Sequence, residues 1–264
     1  MENPLAASRY PWARPLAALH DRVLFEALSS ADAILASADD EAIDALVARS
    51  GGRLSRSRVR SLPSHYDERV FFPVPSTLAR ERIGGDAGSP LVVSVGRLSR
   101  VKGWDLVLAA FARLLAKRPA ARLRFVGDGE DRARVEAAAR ELGVASRVTI
   151  TGFLSPSGVS LHVNCADVVV VGSRREGWSV AMLEALGCGK PLVTTEVSGA
   201  RALVHPGRNG FVVAGREPGA LADALGRALS LDPASAARES LAVARRYALS
   251  ELPGRIGAAW PVLS

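Results

Sequence analysis

Apolar segments alternate with helical segments from residue 91 onward, and this alternation restricts the chain to few folds. The apolar segments are continuous rather than apolar at every second residue, as expected for strands covered on both faces. Between them apolar residues recur at helical spacing, for example Trp104, Val107, Leu108 and Phe111. The predicted strands span 91–95, 123–126, 148–150, 168–171, 192–195 and about 211–213. The pattern predicts an α/β fold with a Rossmann-like, doubly wound parallel sheet.

Prolines and glycines divide the 264-residue chain into three parts. The sequence pattern of residues 1–75 predicts a partial amino-terminal segment that is mostly helical and ends in a proline-rich linker. It contains two helices, short strands near 31–37 and 59–62, and a capping-box-like start formed by Ser37 and Asp40. We expect the sheet domain to span 76–248 and a carboxyl-terminal tail to span 249–264.

The net charge of +7 comes almost entirely from arginine, because the chain has only three lysines: Lys102, Lys117 and Lys190. No aromatic residue is interleaved with the basic residues of the stretch 49–60 and no nucleic-acid module is recognisable, which argues against a nucleic-acid partner. The densest basic stretch contains Arg53, Arg56, Arg58 and Arg60. Two interpretations stay open for it: a solvated loop, or contact with anionic lipid head groups at the inner membrane face.

Several classes of protein are excluded by what the sequence lacks. There is no apolar run of about 18 residues, and residues 1–15 lack the apolar region of a signal peptide, so we expect a cytoplasmic protein. Cys165 and Cys188 are expected to be free thiols. The histidines lack metal-ligand spacing and no Ser-His-Asp arrangement is legible, so neither a metal nor a cofactor is expected.

Two cations follow the first predicted strand of the sheet domain. Gly96 allows the backbone to turn there, and Arg97 and Lys102 follow within the same loop. Ligands of such sheets bind at the carboxyl ends of the strands, where this loop lies. A diphosphate is bound well by a planar guanidinium and an ammonium. The alternative is a solvated loop.

A second element follows the strand 168–171. Ser179 is a candidate N-cap of a short helix that ends near Gly187, with unpaired N–H groups at the helix start that attract anions. Glu176 precedes this start, and Glu184 lies eight residues later on an otherwise apolar helix. Carboxylates there would accept hydrogen bonds from hydroxyl groups on either side of an anion. A nucleoside diphosphate sugar fits that pattern.

Two further loops carry weaker signals. The Gly127-Asp128-Gly129 turn lacks the glycine spacing of dinucleotide-binding loops, because position 132 is arginine. The loop with Phe153 and Leu154 follows another strand and could lie against a nucleobase edge, or could be purely structural. Trp178 is interpreted as a packing residue.

Together these motifs resemble the carboxyl-terminal half of family 4 glycosyltransferases, which are retaining enzymes with the two-domain GT-B fold. The resemblance runs from about residue 91 to 213. It rests on the Gly96-Arg97-Leu98 loop with Lys102-Gly103, the Gly127-Asp128-Gly129 turn, Thr151-Gly152-Phe153, the Glu-x7-Glu spacing of Glu176 and Glu184, Gly189-Lys190-Pro191, and residues 207–213.

The resemblance implies a role for each matching residue. Arg97 and Lys102 would bind the donor diphosphate, assisted by backbone of Gly177, Trp178, Ser179 and Val180. Glu176 would contact the hydroxyls of the donor sugar and Glu184 the ribose, with no metal required. One complete GT-B half is therefore expected in this chain.

The amino-terminal residues resemble only the closing part of the family's other domain. The family's acceptor-binding loops have no counterpart, and Ser64-His65 replaces the usual Asn-Gly of its linker. Two hypotheses follow. The chain is a retaining glycosyltransferase acting on an unknown acceptor (a glycan, a lipid or a small molecule), with a partner chain as one source of the missing domain. Alternatively it is a non-catalytic or truncated module that binds a nucleotide sugar.

Overall fold

The computed structural model describes residues 16–83 and 88–259, which group into two compact units. Unit 1 comprises residues up to 64 together with those from 252, and unit 2 comprises His65–Glu251. Residues 65–75, grouped with the amino-terminal segment in the sequence prediction, thus fall in unit 2. Among the described residues no helix has the length and apolarity needed to cross a membrane.

The described residues of unit 1 form two short parallel strands and three α-helices. In chain order these are α1 (Ala17–Ser29), β1 (Ile34–Ala36), α2 (Asp40–Arg49), β2 (Val59–Ser61) and, from the end of the chain, α11 (Leu252–Ala259). The start of α2 differs from the prediction, because the carboxylate of Asp39 caps it by accepting from the Ala42 N–H at 2.9 Å. Ser37 instead hydrogen-bonds Ser64.

Unit 2 is built from alternating helices and strands. They are α3 (Ser76–Arg82), β3 (Leu91–Val95), α4 (Trp104–Leu115), β4 (Arg122–Val126), α5 (Arg132–Glu141), β5 (Val148–Ile150), α6 (Pro156–Asn164), β6 (Val168–Val171), α7 (Val180–Gly187), β7 (Leu192–Thr195), α8 (Ala200–Leu203), β8 (Gly210–Val213), α9 (Pro218–Ala228) and α10 (Pro233–Ala244). The six predicted strands are all present.

The six strands form one parallel sheet in the order β5-β4-β3-β6-β7-β8. The chain winds outward from β3 to β5, returns through α6, and winds outward in the other direction from β6. The strand order therefore reverses between β3 and β6, whose Val92 and Val93 pair with Val168 and Val169. The predicted α/β fold is confirmed, and the reversal places a crevice at the carboxyl ends of these two strands.

Both faces of the sheet are covered, as the continuous apolar strands predicted. On β6, Val168 and Val170 belong to the core that α4, α5 and α9 share, whereas Val169 and Val171 belong to the core that α6, α7 and α10 share. All four valines are buried. Burial on two faces fixes the central strands firmly, so the loops that follow them extend from a rigid base.

Candidate functional site

A cavity of about 240 Å³ opens at the carboxyl ends of β3 and β6, where the strand order reverses. Its walls come from the loop after β3, the loop after β6 and the first turn of α7. The lining residues are Ser94, Val95, Gly96, Arg97, Leu98, Lys102, Trp104, Phe125, Val171, Ser173, Glu176, Trp178, Ser179, Val180 and Ala181. Six of the residues predicted from the sequence are therefore brought together: Arg97, Lys102, Glu176, Trp178, Ser179 and Val180.

The loop after β3 is held against the neighbouring loops by backbone contacts. The Leu98 N–H donates to the Asp128 carbonyl at 2.9 Å, and the Arg174 N–H donates to the Val101 carbonyl at 2.8 Å. The loop ends in a short 3₁₀ turn that Gly103 terminates in the left-handed conformation, with φ of 73°. These contacts fix the backbone from which the Lys102 side chain extends.

Lys102 and Glu176 form an ion pair inside the cavity. The lysine Nζ lies 2.8 Å from Oε1 and 2.9 Å from Oε2 of Glu176. Ser173 donates its hydroxyl to Oε1 at 2.6 Å. The glutamate side chain is 9% exposed and the lysine side chain is 40% exposed. The carboxylate is thus enclosed, whereas the ammonium also faces solvent.

Arg97 extends from the same loop toward the solvent side of the cavity. Its Nε lies 3.1 Å from Oε2 of Glu130, and its side chain is 70% exposed. Because both members of this pair are well exposed, their attraction is screened and the pair is weak. The guanidinium can therefore exchange Glu130 for an anionic ligand at little cost.

The amino-terminal end of α7 supplies backbone donors. Ser179 occupies the N-cap position with an extended backbone, but its hydroxyl makes no capping hydrogen bond. The Met182 N–H donates to the Ser179 carbonyl, so this amide of the helix start is engaged. Within the described part of the chain no acceptor is found for the N–H groups of Val180 and Ala181. Two amides and the positive end of the helix dipole remain for an anion.

Trp178 forms the buried wall of the cavity. It is 8% exposed, and its ring centroid lies 5.6 Å from that of Tyr247. The indole also packs on Gly199, since a Cβ there would lie 2.9 Å from its Cε3. The tryptophan therefore packs as the sequence interpretation held, while one edge of it lines the cavity.

With this geometry established, comparison with known proteins identifies the family. The family described as Glycosyl transferases group 1 matches residues 76–246, which include every residue that lines the cavity. The chain belongs to this family. The sequence resemblance to glycosyltransferases is thereby confirmed at the level of the group 1 family.

Relatives and solved structures agree with this membership. A D-inositol 3-phosphate glycosyltransferase from Geodermatophilus obscurus is 36% identical over 236 residues, covering 84% of this chain and 50% of the relative. One from Xylanimonas cellulosilytica is 34% identical over 238 residues, covering 86% and 56%. This chain thus spans about half the length of these relatives.

Among solved structures, sucrose-phosphate synthase from Thermosynechococcus elongatus is 26% identical, with a TM-score of 0.80 over 96% of this chain and 63% of that chain. The structure of Anabaena HepE in complex with UDP and glucose is 23% identical, with a TM-score of 0.79 over 91% and 66%. At that identity the HepE match shows the shared fold.

Four of the residues predicted for the site lie outside the cavity walls. Gly177 is exposed in the loop before α7. Phe153, which is 79% exposed, and Leu154 lie in the loop between β5 and α6, at the same edge of the sheet. Glu184 lies further along α7, and no side chain of the described residues hydrogen-bonds its carboxylate. Burial raises the pKa of Glu184 to about 7.

Ser173 is a site residue that the sequence reasoning missed. It is 2% exposed, donates to Glu176 and accepts from the Thr195 hydroxyl at its backbone carbonyl, at 2.7 Å. Its position two residues after β6, just before the candidate glutamate, was the available signal. No sequence pattern around this serine distinguishes it from an ordinary serine in a loop.

The other features singled out in the sequence are not among the residues that line the cavity. In unit 1, Arg56 pairs with Asp40 and Asp44, and Arg58 donates to the Ser29 carbonyl, so these cations have protein partners. Cys165 and Cys188 are free and buried, and burial raises the pKa of Cys188 to about 12. Residues 16–83 and 88–259 hold no group of three or more His, Cys, Asp or Glu side chains that could bind a metal ion.

Proposed function

We propose that this chain carries the donor site of a retaining glycosyltransferase and binds a nucleoside diphosphate sugar in the cavity between β3 and β6. One observation carries the proposal. Two cations, Arg97 and Lys102, and two unpaired amides, those of Val180 and Ala181, surround the same space as the Glu176 carboxylate. The donors suit a diphosphate and the carboxylate suits the hydroxyls of an attached sugar.

In the proposed reaction the bond between the anomeric carbon and the diphosphate oxygen breaks, and that carbon bonds to an acceptor hydroxyl oxygen. The nucleoside diphosphate leaves with the electron pair, and the acceptor proton passes to a phosphate oxygen or to water. Arg97, Lys102 and the α7 amides stabilise the negative charge that develops on the leaving group. Losing one such donor typically costs ~3 kcal/mol of barrier. The resemblance to family 4 enzymes supports retention of configuration.

The predicted site residues outside the cavity walls support a place for the nucleoside in the same proposal. Glu184 carries a half-buried carboxylate that no side chain of the described residues hydrogen-bonds, which is the arrangement expected of an acceptor for ribose hydroxyls. Phe153 and Leu154 present apolar surface at the same edge of the sheet, where a nucleobase would lie. For the acceptor, the names of the relatives make D-inositol 3-phosphate the first compound to test.

A ligand screen followed by a transfer assay tests the proposal. The full chain is screened by thermal shift against UDP, GDP and ADP and their hexose conjugates. A ligand at ~100 times its dissociation constant stabilises by ~2.7 kcal/mol. The stabilising conjugate is then incubated with D-inositol 3-phosphate, and glycosylated product is measured by mass spectrometry. Absence of stabilisation by every nucleotide in the panel contradicts the proposal.

The second candidate function is donor binding without transfer. It is favoured by the fact that every cavity-lining residue falls between 94 and 181 of unit 2, so one unit supplies the whole cavity. Calorimetric binding of a nucleotide sugar, without product from any acceptor and without donor hydrolysis, would support this module over the transferase.

A further inference from the structure

We infer that Glu176 is an internal competitor of the nucleoside diphosphate for Lys102, so that the site binds a nucleotide sugar in preference to the sugar-free diphosphate. The inference rests on the proposed donor function. In addition to contacting the ligand, the Lys102–Glu176 pair would weaken binding of the sugar-free product and so favour its release.

The pairing in the ligand-free site is the first step of the argument. Lys102 Nζ contacts both carboxylate oxygens of Glu176, at 2.8 and 2.9 Å. The Ser173 hydroxyl also donates to Oε1 of this carboxylate, at 2.6 Å. An enclosed carboxylate requires a partner, because removing an unpaired charge from water is costly. Lys102 is the cation that supplies this partner.

The loops that carry the pair are tied together by hydrogen bonds and a close backbone contact, which oppose separation of the pair by loop movement. The Arg174 N–H donates to the Val101 carbonyl at 2.8 Å, and the Arg174 side chain donates to the Arg100 carbonyl at 3.1 Å. Gly103 and Gly172 meet backbone to backbone. Any anion that binds Lys102 must therefore take the ammonium from a carboxylate that stays nearby.

The two ligands differ in the hydrogen bonds that they offer to the Glu176 carboxylate once Lys102 has been taken from it. A bare nucleoside diphosphate takes Lys102, leaves the carboxylate with Ser173 alone and adds phosphate charge beside it. A nucleoside diphosphate sugar makes the same exchange but brings sugar hydroxyls, which donate hydrogen bonds to the carboxylate. The competition therefore weakens binding of the product more than binding of the donor.

The test measures the affinity of both ligands by calorimetry for wild type, Glu176→Gln and Glu176→Ala. The probes are UDP with UDP-glucose, GDP with GDP-mannose and ADP with ADP-glucose, and the pair that wild type binds is used. Wild type is expected to bind the sugar conjugate more tightly than the bare diphosphate. Both variants are expected to bind the bare diphosphate about fivefold more tightly than wild type does, the size of a partly exposed ion pair. The preference for the sugar conjugate should therefore narrow by at least the same factor, because the charged acceptor of the sugar hydroxyls is lost.

Asp223→Asn is the matched control, since Asp223 pairs with Lys117 at 2.8 Å on exposed surface outside the cavity. It removes the same charge and should leave both affinities unchanged. Unchanged or weaker diphosphate binding in the two Glu176 variants, with normal binding by wild type, overturns this inference alone. Failure of wild type to bind any of the probes overturns the donor function and the inference with it.

Discussion

A Cβ atom placed on Gly103 would lie 1.7 Å from the carbonyl oxygen of Gly172. The loops after β3 and β6 thus meet at a distance that only glycine permits at position 103. Lys102 directly precedes one of these glycines and Glu176 follows the other by four residues. The close approach of the two backbones therefore sets the separation of the ion pair in the cavity.

Gly103→Ala is expected to destabilise the protein by about 3 kcal/mol or more, because it combines a backbone clash with a left-handed φ. The measurement is urea denaturation. Gly207→Ala is the matched control: Gly207 has a φ of 77°, but a Cβ there meets nothing within 4 Å. This variant should lose only about 1–2 kcal/mol of stability, which is the cost of a left-handed φ for alanine. Equal losses in the two variants would show that the loop contact is dispensable.

Glu184 should make the stability of the protein depend on pH. Burial raises its pKa from the ordinary value of 4.5 to about 7. The folded state therefore holds this proton more tightly than the unfolded state between these two values. Stability should fall as the pH rises from about 4.5 to about 7 and level off above that, with a total change of roughly 3 kcal/mol from this group.

Glu184→Gln removes that dependence, so it should be more stable than wild type at pH 8 and nearly equal to it at pH 4.5. Denaturation curves recorded across this range give the comparison. Glu141→Gln, at an exposed position on α5, should leave the wild-type pH profile in place. A parallel profile for Glu184→Gln and wild type would mean that the carboxylate is not held in an apolar environment.

The sequence predictions were most successful for the segments that are most deeply buried. The four consecutive valines of β6 have a pattern that solvent-exposed segments rarely show, and the strand is buried as predicted. The site was legible because the topology of a parallel sheet places strand ends together, which brought Arg97, Lys102 and Glu176 to one cavity.

What the sequence did not predict has local or tertiary causes. α8 spans only four residues, too few for a helical period to show, and it begins after Gly199 in the left-handed conformation. In α3 the buried residues include Arg80, and a charged residue ordinarily indicates the solvent side of a helix. The Lys102–Glu176 pairing is likewise a side-chain contact that motif spacing alone does not specify.

Arg80 is expected to be a structural residue of unit 2. Its Nη2 lies 2.7 Å from Oδ2 of Asp167, and its Nε donates to the Cys165 carbonyl at 3.1 Å. Arg80→Met should destabilise the protein by about 3 kcal/mol, because it leaves Asp167 and a buried carbonyl without this partner. Arg82→Met, at an exposed position of the same helix, should cost less than about 0.5 kcal/mol in the same denaturation assay. Similar losses would place the stabilising contacts elsewhere.

The Lys102–Glu176 pair allows stability and ligand binding to be separated. Lys102→Ala should weaken binding of the nucleotide sugar about 100-fold, because a charge contact to the diphosphate is lost. It should also destabilise the protein by about 2 kcal/mol, because the enclosed Glu176 carboxylate loses its ion partner. The double variant Lys102→Ala/Glu176→Gln should regain most of the stability, since no unpaired carboxylate remains, but none of the diphosphate affinity.

The exposed Lys117–Asp223 pair provides a second double-mutant cycle for comparison. The stabilities of Lys117→Ala, Asp223→Asn and the double variant should give a coupling free energy below about 1 kcal/mol. Enclosure of Glu176 distinguishes the two cycles, because both pairs have the same 2.8 Å separation. A larger coupling at Lys102–Glu176 therefore measures the cost of leaving that carboxylate unpaired. Equal coupling in the two cycles would mean that solvent compensates Glu176 when the lysine is removed, and that a bound diphosphate meets no competition from it.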